Sequence, residues 1–224
     1  EWEDRLIGIF GSRGVGKTTL LLQHIKLKFE DSREALYVNL DDFWFETHSL
    51  TDAVKEFLQA GGHYLFLDEI HFYSGWMEEV STLLDANPAL KIVFATTSLY
   101  SQTEVRNGLR HEAAFYVMHP MSFREFLSYE SILDKDPIPL EDILANHHDL
   151  VKEINAEMNI VPIYRNYLEH GCYPFYWQDP DMYYFRLQEL VRKEICRDLP
   201  SVVSISMSNL ERAQKYFMMV AESA

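Results

Sequence analysis

The stretch Gly11-Ser12-Arg13-Gly14-Val15-Gly16-Lys17-Thr18 constrains the fold more than any other part of this chain. It follows directly on the apolar run Arg5–Phe10 and leads into the amphipathic run Lys17–Phe29. Glycines at 11, 14 and 16 let the backbone adopt conformations closed to other residues, so that successive N–H groups converge on one point. The start of the following helix adds unpaired N–H donors and the positive end of its dipole. That combination is a cradle for a polyphosphate, and Gly11, Ser12, Arg13, Gly14, Val15, Gly16, Lys17, Thr18 and Thr19 are its expected lining. Lys17 is expected to reach the β- and γ-phosphates as a point charge, and the Thr18 hydroxyl to ligate Mg²⁺.

The surrounding pattern agrees with a strand–loop–helix unit. Short runs rich in Val, Ile, Phe and Tyr at Arg5–Phe10, Ala35–Leu40, His63–Leu67, Leu90–Ala95 and Ala113–His119 read as strands. Between them, Lys17–Phe29, Leu50–Ala60, Gly75–Ala86 and Ser101–Leu109 read as helices. Strands separated by helices need crossover connections, which produce a mostly parallel sheet covered on both faces. Residues 1–120 are therefore expected to form a three-layer α/β domain with a five-stranded sheet.

The third strand ends in a carboxylate pair, Tyr64-Leu65-Phe66-Leu67-Asp68-Glu69. Ligands of open α/β sheets bind at the C-terminal ends of strands, and adjacent residues of an extended segment point opposite ways. Asp68 is thus placed to hold the magnesium ion, and Glu69 to orient and deprotonate an attacking water. Burial and the like charge next door would raise the pKa of Glu69 and suit it to act as a base. Asp41 and Asp42 end the second strand near the same edge, where a helix cap or an exposed turn is the expected role.

After Pro120 the pattern becomes helical, at Ser122–Ile132, Leu140–Met158, Val161–His170, Met182–Leu199 and Ser208–Ser223, with prolines marking the breaks. Residues 121–224 are read as a lid-like helical region and the start of a further segment. The last helix has no stop signal and the chain opens on Glu1, so a piece of a longer protein is expected.

Composition narrows the function classes. With 47% hydrophobic and 25% charged residues the chain can bury a core and is not a disordered polymer. A formal net charge of −15, spread over both halves, disfavours nonspecific nucleic-acid binding. No run approaches the length of a membrane span. Cys172 and Cys196 make no zinc or CxxC spacing, and His147-His148-Asp149 fits no metal motif. Residues 121–224 lack the acidic and Glu-Xaa-Lys pattern of a nuclease.

The phosphate loop and the acidic pair resemble those of P-loop ATPases that carry an extra strand between the phosphate-loop strand and the metal-aspartate strand. More closely, GSRGVGKTTL (11–20), ALYVNLDD (35–42), YLFLDEI (64–70), IVFATTS (92–98), PMSFREFL (120–127), YLEHGCYP (167–174) and RDLP (197–200) are similar to prokaryotic AAA-type ATPases. Members of that group share an N-terminal AAA core, a winged-helix-like segment and often a C-terminal nuclease-like domain.

The resemblance implies ATP binding with Mg²⁺ and hydrolysis that moves the helical region. Ser98 matches the position of a sensor of the γ-phosphate, with Thr96 and Thr97 as alternatives. Arg110 falls near the family's arginine that stabilises phosphoryl charge, in cis or from a neighbouring subunit, with Arg106 as the alternative. Tyr173-Pro174 matches a turn near the base. Catalysis is then carried by Lys17, Glu69, Ser98 and Arg110, and the metal is held by Thr18 and Asp68. The competing readings are a nucleotide-gated interaction module with little turnover and a small-molecule phosphotransferase. A cytoplasmic protein is expected, with no membrane contact; its protein or nucleic-acid effector and any oligomer stay open.

Overall fold

The computed structural model describes residues 2–30, 33–133 and 135–223. By internal packing the chain divides into two compact units, Glu1–Met118 with Phe185–Ala224, and His119–Tyr184.

The first unit is built on a parallel sheet. Strands β1 (Leu6–Phe10), β2 (Ala35–Asn39), β3 (Tyr64–Asp68), β4 (Lys91–Thr96) and β5 (Ala114–Val117) lie in the order β2-β3-β4-β1-β5. Every neighbouring pair is parallel. β4 therefore separates β1 from β3, the inserted strand that the sequence resemblance implies. Helices α1 (Lys17–Lys28), α2 (Leu50–Gln59), α3 (Trp76–Ala86) and α4 (Gln102–Gly108) make the crossovers.

Strand alternation sorts the core into two layers. Leu65, Leu67, Ile92, Phe94, Leu6 and Phe10 pack on one face with Leu50 and Val54 of α2, Val80 and Leu84 of α3 and Val105 of α4. Ile7, Ile9, Phe66, Val93 and Ala95 pack on the other with Leu21 of α1. Burial on both faces explains why the central strands read as continuous apolar runs rather than alternating ones. Gly8 breaks the run for a steric reason, since a Cβ there would lie 2.6 Å from Cζ of Phe94.

The second unit contains α5 (Phe123–Tyr129), α6 (Leu140–Glu157, kinked at Asn146) and α7 (Ile160–Asn166). Ser122 and Glu125 close a reciprocal capping box at the start of α5. Glu125 is thus used by its own helix, while Phe126 and Leu127 are buried. Phe126 packs with Phe123, Tyr167 and Trp177. Tyr173, of the Tyr173-Pro174 turn, stacks on Phe175 in this unit.

Helix α8 (Tyr183–Lys193) leads back into the first unit and is followed by a π-helical turn, Glu194–Asp198, by α9 (Leu199–Val202) and by α10 (Met207–Ser223). The sequence predicts one helix over Met182–Leu199; the widened turn is the difference. Pro200 supplies the cause, because proline offers no N–H and its ring crowds the carbonyl four residues back, at Cys196. Among the described residues no helix is long and apolar enough to cross a membrane.

Candidate functional site

The loop after β1 is shaped by its glycines. Gly14 and Gly16 have φ of 85° and 108°, a left-handed region that strains any residue with a Cβ. The loop is pinned to its neighbours through main-chain bonds: the N–H of Gly11 donates to Thr96 O at 3.2 Å, and that of Ser98 to Gly11 O at 3.2 Å. Lys17 folds back into the loop, its buried Nζ donating to Gly11 O at 2.7 Å and Ser12 O at 2.9 Å. Burial lowers the Lys17 pKa, and the carboxylates of Glu69 and Asp68 work against that shift.

The acidic pair stands opposite. Thr18 Oγ1 donates to Asp68 Oδ2 at 2.6 Å, which joins the start of α1 to the end of β3. Asp68 is buried and receives two further bonds, from Tyr37 OH at 2.9 Å and from the Glu69 N–H at 3.0 Å. Burial, followed by the charge of Asp68, pushes the Tyr37 phenol well above its ordinary value, so Tyr37 acts here only as a donor.

Glu69 adopts a left-handed backbone, φ 52° and ψ 38°, a conformation that costs a non-glycine residue about 1–3 kcal/mol. Its carboxylate lies 3.7 Å from Arg13 Nη1 and 3.5 Å from His71 Nε2. Burial raises its pKa; Arg13, His71 and Lys17 oppose that rise, and Asp68 adds to it.

A third carboxylate, far along the chain, reaches the same place. Arg13 grips Asp198 with both arms of its fork, Nε to Oδ2 at 2.8 Å and Nη2 to Oδ1 at 2.6 Å. Asp198 is 2% exposed. Burial alone would raise its pKa, but His71 and Arg13 outweigh burial and hold it down to about 2. His71 is buried with neither ring nitrogen in a hydrogen bond among the described residues, its Nε2 standing 3.9 Å from Asp198 Oδ1. Next to Asp198, Arg197 donates to Asp41 at 2.8 Å and lies over the Phe72 ring. Asp42 caps the turn after β2, accepting from the Trp44 N–H at 2.9 Å.

The structure thus brings Gly11–Thr19, Asp68 and Glu69 together, with Thr96, Thr97 and Ser98 at the adjoining end of β4. Thr96 Oγ1 is buried with no hydrogen-bond partner among the described residues, Thr97 Oγ1 accepts from the Leu99 N–H at 3.3 Å, and the Ser98 side chain is exposed. Arg110 is placed elsewhere. It precedes β5, at the N-terminal end of the parallel strands and so at the opposite end from the loop, and pairs with Asp85 at 3.1 Å and Thr82 at 3.1 Å on α3. Arg106 lies over the Phe115 ring. Sequence reasoning assigned no role to Tyr37, His71 or Asp198. Tyr37 left a faint signal as a hydroxyl in the otherwise apolar strand ALYVN, and Asp198 as part of RDLP.

A parallel sheet of this order, with a glycine loop between β1 and α1 facing an aspartate at the end of β3, defines a P-loop NTPase fold. The profile of the AAA domain family matches residues 3–127, more than half the chain, and the protein belongs to that family. No curated protein matches it. Among solved structures, the chain is similar to AMPPCP-bound DnaA from Aquifex aeolicus, at 16% identity and a TM-score of 0.36. That similarity covers 84% of this chain and 60% of the DnaA chain.

Proposed function

We propose that this chain binds ATP with Mg²⁺ and hydrolyses it, as an AAA-type ATPase of the group with a winged-helix-like segment and often a nuclease-like domain. The observation that carries the reading is the 2.6 Å contact between Thr18 Oγ1 and Asp68 Oδ2, beside a buried Lys17. Two residues fifty positions apart meet as hard oxygen donors, which is the donor type Mg²⁺ takes. Among the described residues no group of three or more His, Cys, Asp or Glu could hold a metal by itself. That fits Mg²⁺, which is commonly bound through one or two protein oxygens together with substrate phosphates. Bound there, it would neutralise charge on the β- and γ-phosphates.

In this reading the Gly11–Thr19 amides and Lys17 bind and orient the phosphates, Thr18 and Asp68 hold the metal, and Tyr37 fixes the Asp68 carboxylate. Glu69, kept basic by burial, takes the proton of the attacking water. Ser98, or a hydroxyl of Thr96 or Thr97, senses the γ-phosphate from the end of β4. Arg110, at the N-terminal end of the strands, acts on phosphoryl charge from a neighbouring copy. The nucleotide state then moves the helical C-terminal region.

The test is phosphate release from ATP with magnesium. Glu69→Gln is expected to lower kcat about 10²- to 10⁴-fold while still binding nucleotide, and Lys17→Ala to lose binding. A wild-type chain that binds ATP but releases phosphate no faster than Glu69→Gln replaces turnover with a nucleotide-gated interaction module.

A further inference from the structure

Two side-chain donors of the phosphate loop, on Arg13 and Lys17, are already engaged by the chain's own oxygens. Lys17 Nζ serves the loop carbonyls of Gly11 and Ser12. The Arg13 guanidinium is committed to Asp198 through two bonds. Glu194, one helical turn before Asp198, lies within the fields of Lys17 and Arg13, whose charges oppose the rise that burial gives its pKa. Burial and then the charge of Asp198 raise the pKa of Glu194, as expected for two acids one helical turn apart.

The segment bearing these acids is well anchored. Asp198 is buried, Arg197 pairs with Asp41, and α9 packs on the turn Ile70–Phe72 that follows Glu69. The π-helical turn enforced by Pro200 spans these two acids, from Glu194 to Asp198. A carboxylate taking both arms of a guanidinium presents to Arg13 the same acceptors that a phosphate presents.

We infer that Asp198, with the charge of Glu194 one turn away, forms an internal competitor for the phosphate site, which a nucleotide must displace from Arg13. This inference rests on the nucleotide-binding reading above. A polyphosphate brings several negative charges to the place where two carboxylates stand, so loop and segment cannot serve both at full strength. Asp198 and Glu194 therefore set the nucleotide affinity of the loop, lowering it, although neither belongs to the phosphate-loop or acidic-pair motifs.

The sign of the effect separates competition from a structural role. Isothermal titration of the whole chain with magnesium and the β,γ-imido analogue of ATP is the measurement. Asp198→Asn and Glu194→Gln are each expected to bind the analogue about 5-fold or more tighter than wild type. In an Arg13→Gln background the gain from Asp198→Asn is expected to disappear, since Arg13 is what the two anions compete for. Residues that merely hold the loop in shape would weaken binding when replaced. Folded variants that bind no tighter than wild type overturn the inference; circular dichroism checks the fold, and Glu194→Gln decides alone should Asp198→Asn fail to fold. Absence of binding by wild type and by every variant overturns the nucleotide reading and this inference with it, whereas wild-type binding without tightening overturns this inference alone.

Discussion

At Asp198, burial and its charged neighbours act in opposite directions on one carboxyl group. Its pKa, held down to about 2 against the effect of burial, lies below the ordinary carboxylate value of about 3.9. The folded chain therefore binds this proton less readily than the unfolded one. Stability from this group is complete above about pH 4 and is lost as pH falls toward about 2, amounting to about 2 kcal/mol. Glu69 and Glu194 are shifted the other way, mainly by burial, and favour the fold slightly on acidification. The comparison that isolates Asp198 is urea unfolding of wild type and Asp198→Asn across this range. The stability gap between them is expected to narrow by about 2 kcal/mol between about pH 4 and pH 2; a gap that ignores pH would mean that His71 and Arg13 together do not hold this carboxyl down. This residue also marks where sequence reading stops. Gly11–Thr18 is legible because its chemistry is contiguous, and Asp68-Glu69 because an apolar strand delivers it to a known edge. Asp198, Tyr37 and His71 join the site through contacts across the fold, and a single sequence carries no spacing that reports them.

At the scale of the element, the strands were legible to within a residue or two because each is a short apolar run ended by a polar turn. Their burial on both faces then follows from the intervening helices. The helices after residue 120 were less so. The expected single helix Met182–Leu199 is interrupted by a widened turn, because Pro200 acts on a carbonyl four residues earlier and the pattern of apolar residues does not register that clash. Gly8 is the strand position where the packing argument can be tested. Adding a methyl group there meets Phe94 at 2.6 Å and Phe115 at 3.0 Å, aromatic rings of the inner layer with little room to turn. Gly8→Ala is expected to destabilise the chain by about 1–3 kcal/mol through overpacking. That outweighs the about 0.4–1 kcal/mol gained by restricting the unfolded backbone. Phe94→Leu in the same chain should recover part of the loss in a thermal or denaturant melt. A Gly8→Ala chain as stable as wild type would mean the rings yield freely.

At the scale of the whole molecule, the contacts of Arg13 join the first turn of the nucleotide site to a segment near the other end of the chain, within one compact unit. Thermodynamic linkage makes that join reciprocal: whatever factor the acidic segment subtracts from nucleotide affinity, a bound nucleotide subtracts from the docking of the segment. The segment from Glu194 to Val202 is held by Arg13, Asp41 and the turn at Ile70–Phe72, so losing the Arg13 pair leaves its amides less protected. Hydrogen–deuterium exchange on the full chain, with and without magnesium and the imido analogue, reads this directly. Amides of 194–202 are expected to exchange faster with the analogue bound, by a factor no smaller than the affinity gain measured for Asp198→Asn. The amides of β1, β3 and β4 should slow or hold, since a ligand bound only by the folded chain stabilises the core. In Arg13→Gln the nucleotide has no shared partner left to withdraw, and exchange at 194–202 should no longer respond to it. Faster exchange in wild type that persists in Arg13→Gln would show a coupling that runs by another route. A segment that grows more protected on binding would reverse the sign of the link and make the two acids helpers of the nucleotide rather than its rivals.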